Sequence, residues 1–269
     1  MSAPLYTESK AIPATFLESY TLTKLVNPQG FTNNSIFDTR TVTISDPAIT
    51  RLRDEQILSR YVRGYFGGWA FFPERILLTS LRFCFGFTLP SEFPGEYVPP
   101  SYSSSLLTYD LAIAHGKDVS SLPYGLSRDK LPQVGSTITY GTFQVLASHI
   151  RTSAVQNNTT SIADRIDTGD EDSYVDIAAG RAAGTFTACH RYTIHRMAKH
   201  RPEAHRTTTE GSQGDIQGAE NDLFVKVIQS DTALNPSADS LGLIGWMHGF
   251  HMIYARLLHW DGVREVLRR

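Results

Sequence analysis

A chain of 269 residues with 41% hydrophobic and 11% aromatic residues is long enough for one large domain with a sizeable core. Its net charge of −2 gives no general attraction to phosphate backbones, which excludes nucleic acid as an expected partner. Two cysteines, Cys84 and Cys189, are too few for a secreted disulfide scaffold, and the opening MSAPLYTESKAIPATF has no basic region leading into an apolar run, so an intracellular, cytoplasmic protein is expected.

Residues 1–46 are rich in Thr, Ser, Asn and Pro with no sustained period, and read as an irregular arm with one short helix around Phe16–Leu25. Asp46-Pro47 then supplies an N-cap followed by proline at the first helical position. Ile49, Ile57, Tyr61, Val62, Tyr65 and Phe66 form an apolar stripe, which predicts a helix of about five turns ending at Gly67-Gly68. A second short helix is expected from Pro73. The stretch from Gly67 to Phe87 is the most apolar of the chain. Pro73, Glu74, Arg75 and Arg82 break it too often for a membrane span, leaving open a peripheral contact with a membrane surface.

Phe83, Phe85 and Phe87 alternate with small residues, a strand signature, and residues 89–104 read as a proline- and serine-rich loop. Strands are expected at Leu106–Ala114 and Ser136–His149, the latter with a bulge at Gly141 where the apolar parity changes. Ser173–Ala179 and Gly184–Arg196 predict a hairpin. Residues 198–220 are polar and read as a mobile loop, followed by a strand Asn221–Gln229, an Asn-Pro turn and a long helix from Leu241 to Leu267. Helices, then antiparallel-type strands, then one long helix argue an α+β fold: a curved antiparallel sheet gripping the terminal helix, with an N-terminal helical extension. Residues 1–80 would be arm and helical hairpin, packed on a sheet-and-helix unit of residues 81–269 as one compact body.

The strand TFTACHRYTIHR, the strand NDLFVKVIQS and the helix LGLIGWMHGFHMIYARLLHWDGVREVL resemble the helix-grip fold of START-like and polyketide-cyclase-like proteins, over roughly residues 105–269. The front segment DEQILSRYVRGYFGGWAFFPERILL is similar to proteins encoded in fungal natural-product clusters. The resemblance implies a cofactor-free cyclase of secondary metabolism, Diels–Alderases of the norbornene-forming, sordarin-type kind among them. It is a likeness of arrangement, without a catalytic signature.

The chain has no G-x-G-x-x-G, no Walker loop, no G-x-S-x-G elbow and no H-E-x-x-H, so no cofactor is expected and nucleotide chemistry and serine hydrolysis are disfavoured. Alternation along 184–196 puts Phe186, Ala188, His190, Tyr192 and Ile194 on one face, where His190 and Tyr192 can donate to a substrate carbonyl or simply bond neighbouring strands. Tyr140 and Arg82 are further candidate donors. Trp69, Tyr65, Phe143, Trp246, Phe250 and Tyr254 are candidate walls of a cavity for a small apolar substrate, and equally candidate core. His248 and His251, spaced i, i+3, are an alternative metal pair lacking a convergent carboxylate. The acidic run ADRIDTGDEDSYVD lacks calcium-loop register and reads as a solvated approach to the hairpin. Three functions fit this pattern: a pericyclic ring closure by confinement and hydrogen-bond donation, a non-catalytic carrier of a lipid or terpenoid, and a His190-dependent isomerase or dehydratase.

Overall fold

The structure, a computed structural model, describes residues 4–30, 36–85, 125–139, 141–151, 172–180, 187–198, 223–234 and 241–268; for residues 36, 78–79, 81–85 and 241–251 it describes the backbone alone. The fold is α+β. Strands β1 (Leu5–Ser9), β2 (Ile36–Ile44), β3 (Thr137–Ile138), β4 (Phe143–His149), β5 (Ser173–Gly180), β6 (Thr187–Ala198) and β7 (Leu223–Leu234) form one seven-stranded open sheet in the order β1-β2-β7-β6-β5-β4-β3. Every neighbouring pair is antiparallel. The predicted hairpin is β5–β6, with Tyr192 opposite Val175 and His190 opposite Ile177.

Helices α1 (Ala14–Leu17), α2 (Pro47–Thr50), α3 (Asp54–Gly67), α4 (Phe72–Phe85) and α5 (Leu241–Leu267) accompany the sheet, with a π-helical segment at Thr21–Val26. One face of the sheet presents Val42, Ile44, Val145, Val175, Ile177, Tyr192, Ile194, Val225 and Val227 to α3 and α5. Its opposite face buries Leu146, Ala178, Cys189 and Leu234 under Phe16, Leu22, Leu25 and Val26. Between α3 and α5 the approach is close. A Cβ on Gly64 would stand 2.7 Å from Glu265 Cβ and 2.9 Å from Gly262 Cα, and one on Gly262 would meet the Tyr61 ring at 2.8 Å.

Four expectations about the secondary-structure elements are corrected. The arm is no irregular wrap, because residues 5–9 and 36–44 form strands; the expected short helix is α1 and the π-helical segment. The five-turn helix is two helices. Arg196, reaching from β6, donates to the carbonyls of Thr50 (2.6 Å) and Leu52 (2.5 Å) and to Asp54 Oδ1 (2.6 Å), and these bonds hold the corner between α2 and α3 open. Phe83 and Phe85 lie on a helix, since no glycine or proline interrupts the run from Ile76 and helical continuation overrides the alternation. Ser136–His149 is two strands joined by a tight turn. Thr139 (φ 56°) and Gly141 (φ 83°) take left-handed backbone there, and the register irregularity falls at Val145/Ala147.

The expected strand at Leu106–Ala114, the loop 89–104, Tyr140, and Asp164, Asp167 and Asp170 lie outside the described residues, as does the expected loop 198–220 apart from Ala198, which ends β6. Asp176 is fully buried and not solvated: Arg191 binds it through Nε and Nη2, both at 2.7 Å. The Arg191 guanidinium also lies over the rings of Phe16 (4.9 Å) and Tyr174 (4.1 Å) and donates to the Thr15 carbonyl (3.1 Å). A single cation therefore fastens the N-terminal segment to the sheet. Among the described residues no helix is long and apolar enough to cross a membrane.

Candidate functional site

The site begins with a break in a pattern. On the sheet face covered by α3 and α5, apolar residues fill one end, but the centre carries Asp38 and Arg40 from β2, Gln229 and Asp231 from β7, and His190 from β6. Register explains their meeting, because Asp38 is opposite Asp231 on β7 and Asp231 is opposite His190 on β6. All five are buried. Charges so placed must be paired and fully hydrogen-bonded to persist.

Arg40 Nη1 donates to Asp231 Oδ2 (2.8 Å), while its Nη2 binds Asp38. Gln229 Nε2 donates to Asp231 Oδ2 at 2.5 Å. The other oxygen, Asp231 Oδ1, lies 2.6 Å from His190 Nδ1. A carboxylate beside a guanidinium accepts only, so the imidazole carries its hydrogen on Nδ1, and Nε2 is the ring nitrogen not bonded to Asp231. Further along, Tyr61 donates to Gln229 Oε1 (2.7 Å) and stands 2.6 Å from His259 Nδ1. Burial, and then Arg40, hold the His259 imidazole down at about 3, so it remains neutral.

Aromatic rings surround the His190 imidazole. Tyr65 on α3 lies 5.7 Å away between centroids, Phe143 on β4 6.3 Å, and Tyr192 6.3 Å with its plane nearly parallel. Phe66 and Phe71 extend the wall behind Phe143, at 4.9 and 5.8 Å. Tyr65 and Tyr192 are pushed far above the usual phenol range, first by burial, with Asp231 adding to it, and the two phenols raise Tyr192 further. They are hydrogen-bond donors and not bases. The Tyr192 hydroxyl has no hydrogen bond of ordinary geometry among the described residues. From α4, Glu74 lies within electrostatic reach of His190 and accepts from Tyr254 of α5; burial raises its carboxyl above the usual range.

The structure thus brings His190, Tyr192, Tyr65 and Phe143 together, with Tyr254 joined to the group through Glu74. Trp69 stands apart from them in character, being 61% exposed. Of Arg82, Trp246, Phe250, His248 and His251 only the backbone on α4 or α5 is described, and no group able to hold a metal occurs among the described residues. Sequence reasoning missed Asp231, Arg40, Asp38, Gln229 and Glu74. The available signal was polar residues at inward parity inside otherwise apolar strands, as in VKVIQSD and IFDTRTVTI. Comparison with known proteins finds no family model that matches the chain, and no curated protein or solved structure with significant similarity to it.

Proposed function

We propose that the protein is a cofactor-independent cyclase that closes a ring in an apolar terpenoid or polyketide intermediate, with Tyr192 donating to a carbonyl on the substrate and His190 doing so through Nε2 in its doubly protonated form. The observation that carries this reading is the His190–Asp231 hydrogen bond of 2.6 Å set among Tyr65, Phe143 and Tyr192. Placing four ionisable groups beneath an aromatic wall costs stability that a well-packed apolar core would not, so a role in chemistry accounts for them better than cargo binding does. Confinement by the rings would supply the near-attack geometry, and donors aimed at the carbonyl would polarise the acceptor component, each worth several kcal/mol in order of magnitude. The antiparallel sheet beneath a C-terminal helix supports the helix-grip reading of the architecture, and a START-like, fungal secondary-metabolite context is part of the same proposal.

A second reading rests on the same pair. An imidazole whose tautomer is fixed by a carboxylate is also equipped to abstract a proton, as an isomerase or dehydratase requires. Incubation with linear trienones, followed by chromatography and native mass spectrometry, separates the readings. Ring closure faster than background, without double-bond migration, supports the cyclase. Double-bond migration with a sigmoidal pH profile supports the isomerase. A trienone retained unchanged in the complex identifies a carrier and defeats both.

A further inference from the structure

We infer that Arg60, Arg63, Arg128 and Arg268 form a binding site for a phosphate monoester or diphosphate group where the last turns of α5 lie against α3, with Glu265 holding the arginines together when no such group is bound. The inference goes beyond the ring-closure reading and does not depend on it.

Three stretches of chain assemble the site. Gly64 lets α5 approach α3 directly, since a Cβ there would stand 2.7 Å from Glu265 Cβ. Residues 125–134 are held on the same part of α3 by Ser59, whose hydroxyl lies 2.8 Å from the carbonyls of both Ser127 and Lys130. These contacts bring several guanidinium groups to one carboxylate. Arg63 Nε lies 3.6 Å and Arg128 Nε 3.2 Å from Glu265 Oε1, and Arg268 Nη1 lies 3.7 Å from Glu265 Oε2. Backbone carbonyls fix two of the forks: Arg63 Nη1 donates to Leu126 at 3.3 Å, and Arg128 Nη2 to Arg268 at 2.8 Å. Arg60 stands one turn before Arg63 on the same side of α3. Its buried Nε has no hydrogen-bond partner among the described residues.

Four arginines and one carboxylate leave an excess of three positive charges. Fastening residues 125–134 to α5 needs one guanidinium paired with Glu265, and every further cation at that point repels the others. Asp129, on the same segment, does not supply the balance, because Gln56 Nε2 engages it at 3.1 Å. The groups are partly shielded from solvent, with side-chain exposures of 28% for Arg63, 32% for Arg128 and 14% for Glu265, so salt screens them less than it does free surface charges. Cations gathered in this way concentrate an anion that carries more than one charge. Guanidinium selects the class, since its planar fork is always charged and donates in parallel pairs to the oxygens of a phosphate. Convergence on one point, and not along a stripe, suits a compact anion better than a polymer. Glu265 is then the competitor, because its carboxylate takes donors that the phosphate oxygens would use.

The test is calorimetric titration of the full chain with inorganic diphosphate, inorganic phosphate and glycerol phosphate at roughly 50 mM ionic strength. Saturable binding at a single site is expected, and whether inorganic phosphate or glycerol phosphate binds tighter tells whether the site takes the free ion or the ester. Arg60→Leu and Arg128→Leu should each weaken binding about tenfold, and Arg268→Ala, at a side chain 74% exposed, should weaken it severalfold without disturbing the fold. Glu265→Gln should tighten it, because the competing charge is gone. Binding weaker than about 10 mM for all three anions in the wild type overturns the inference, as does an affinity unchanged in Arg268→Ala and Arg60→Leu, or one weakened by Glu265→Gln.

Discussion

Replacing Arg40 by leucine tests whether the polar row is held as described. Arg40 is fully buried and is the cation between Asp38 and Asp231. Removing it leaves two carboxylates opposite one another in the sheet, and breaking a buried pair in this way costs about 3–5 kcal/mol. For a chain of this size that corresponds to a fall in melting temperature of roughly 10 °C. The loss should also depend on pH. In the native protein Asp38 is pushed up to about 7, above the ordinary carboxylate value, so its protonated form is favoured by folding. Its contribution is present in full below about pH 4 and is lost as pH rises through about 7. With Arg40 gone, protonating Asp38 removes one of the two stranded charges. The penalty of Arg40→Leu should then be largest near pH 8 and about half as large near pH 5. Urea unfolding followed by tryptophan fluorescence and circular dichroism at both pH values measures it. A loss below about 1 kcal/mol at pH 8, or one that does not shrink on acidification, would refute the paired-charge account.

Gly64→Ala should destabilise the chain by about 1–3 kcal/mol in urea unfolding, because its Cβ would press on Gly262 and Glu265 where α3 and α5 cross. Arg191→Met leaves Asp176 buried and unpaired and should cost about 3–5 kcal/mol, with faster amide exchange across residues 12–26 as the N-terminal segment loosens. Tyr192→Phe should change stability by no more than about 1 kcal/mol, because among the described residues the hydroxyl it removes meets only the Tyr65 phenol beside it. If that hydroxyl serves the substrate, trienone turnover in the same variant should fall about tenfold or more, and an unchanged rate would remove Tyr192 from the site.

What the sequence made legible follows from which interactions are local. The terminal helix Leu241–Leu267 and the β5–β6 hairpin rest on propensity, apolar pattern and nearby breakers, and the structure places both where the pattern did. The inward parity of His190 and Tyr192 follows from the same two-residue period. Strand β2 was hidden for a reason of the opposite kind. Its inward positions include Asp38 and Arg40, so its apolar alternation is interrupted where the buried charges sit, and only the pairing with Asp231, far along the chain, makes those residues acceptable in a core. The corner at residues 51–53 was invisible likewise, because Arg196 holds it from a strand remote in sequence. Phe83 and Phe85 alternate as a strand would, yet Cys84 and the preceding leucines continue a helix equally well, and a short apolar run does not discriminate.

The most direct test of the site is the rate of ring closure of linear trienones by the wild-type protein and by His190→Gln, each checked for folding by circular dichroism. The account predicts closure at least about tenfold faster than background with the wild type and loss of most of that acceleration in the variant, as expected for removal of one positioned donor. Equal rates in the two proteins, or none above background for trienones of varied length, would contradict it.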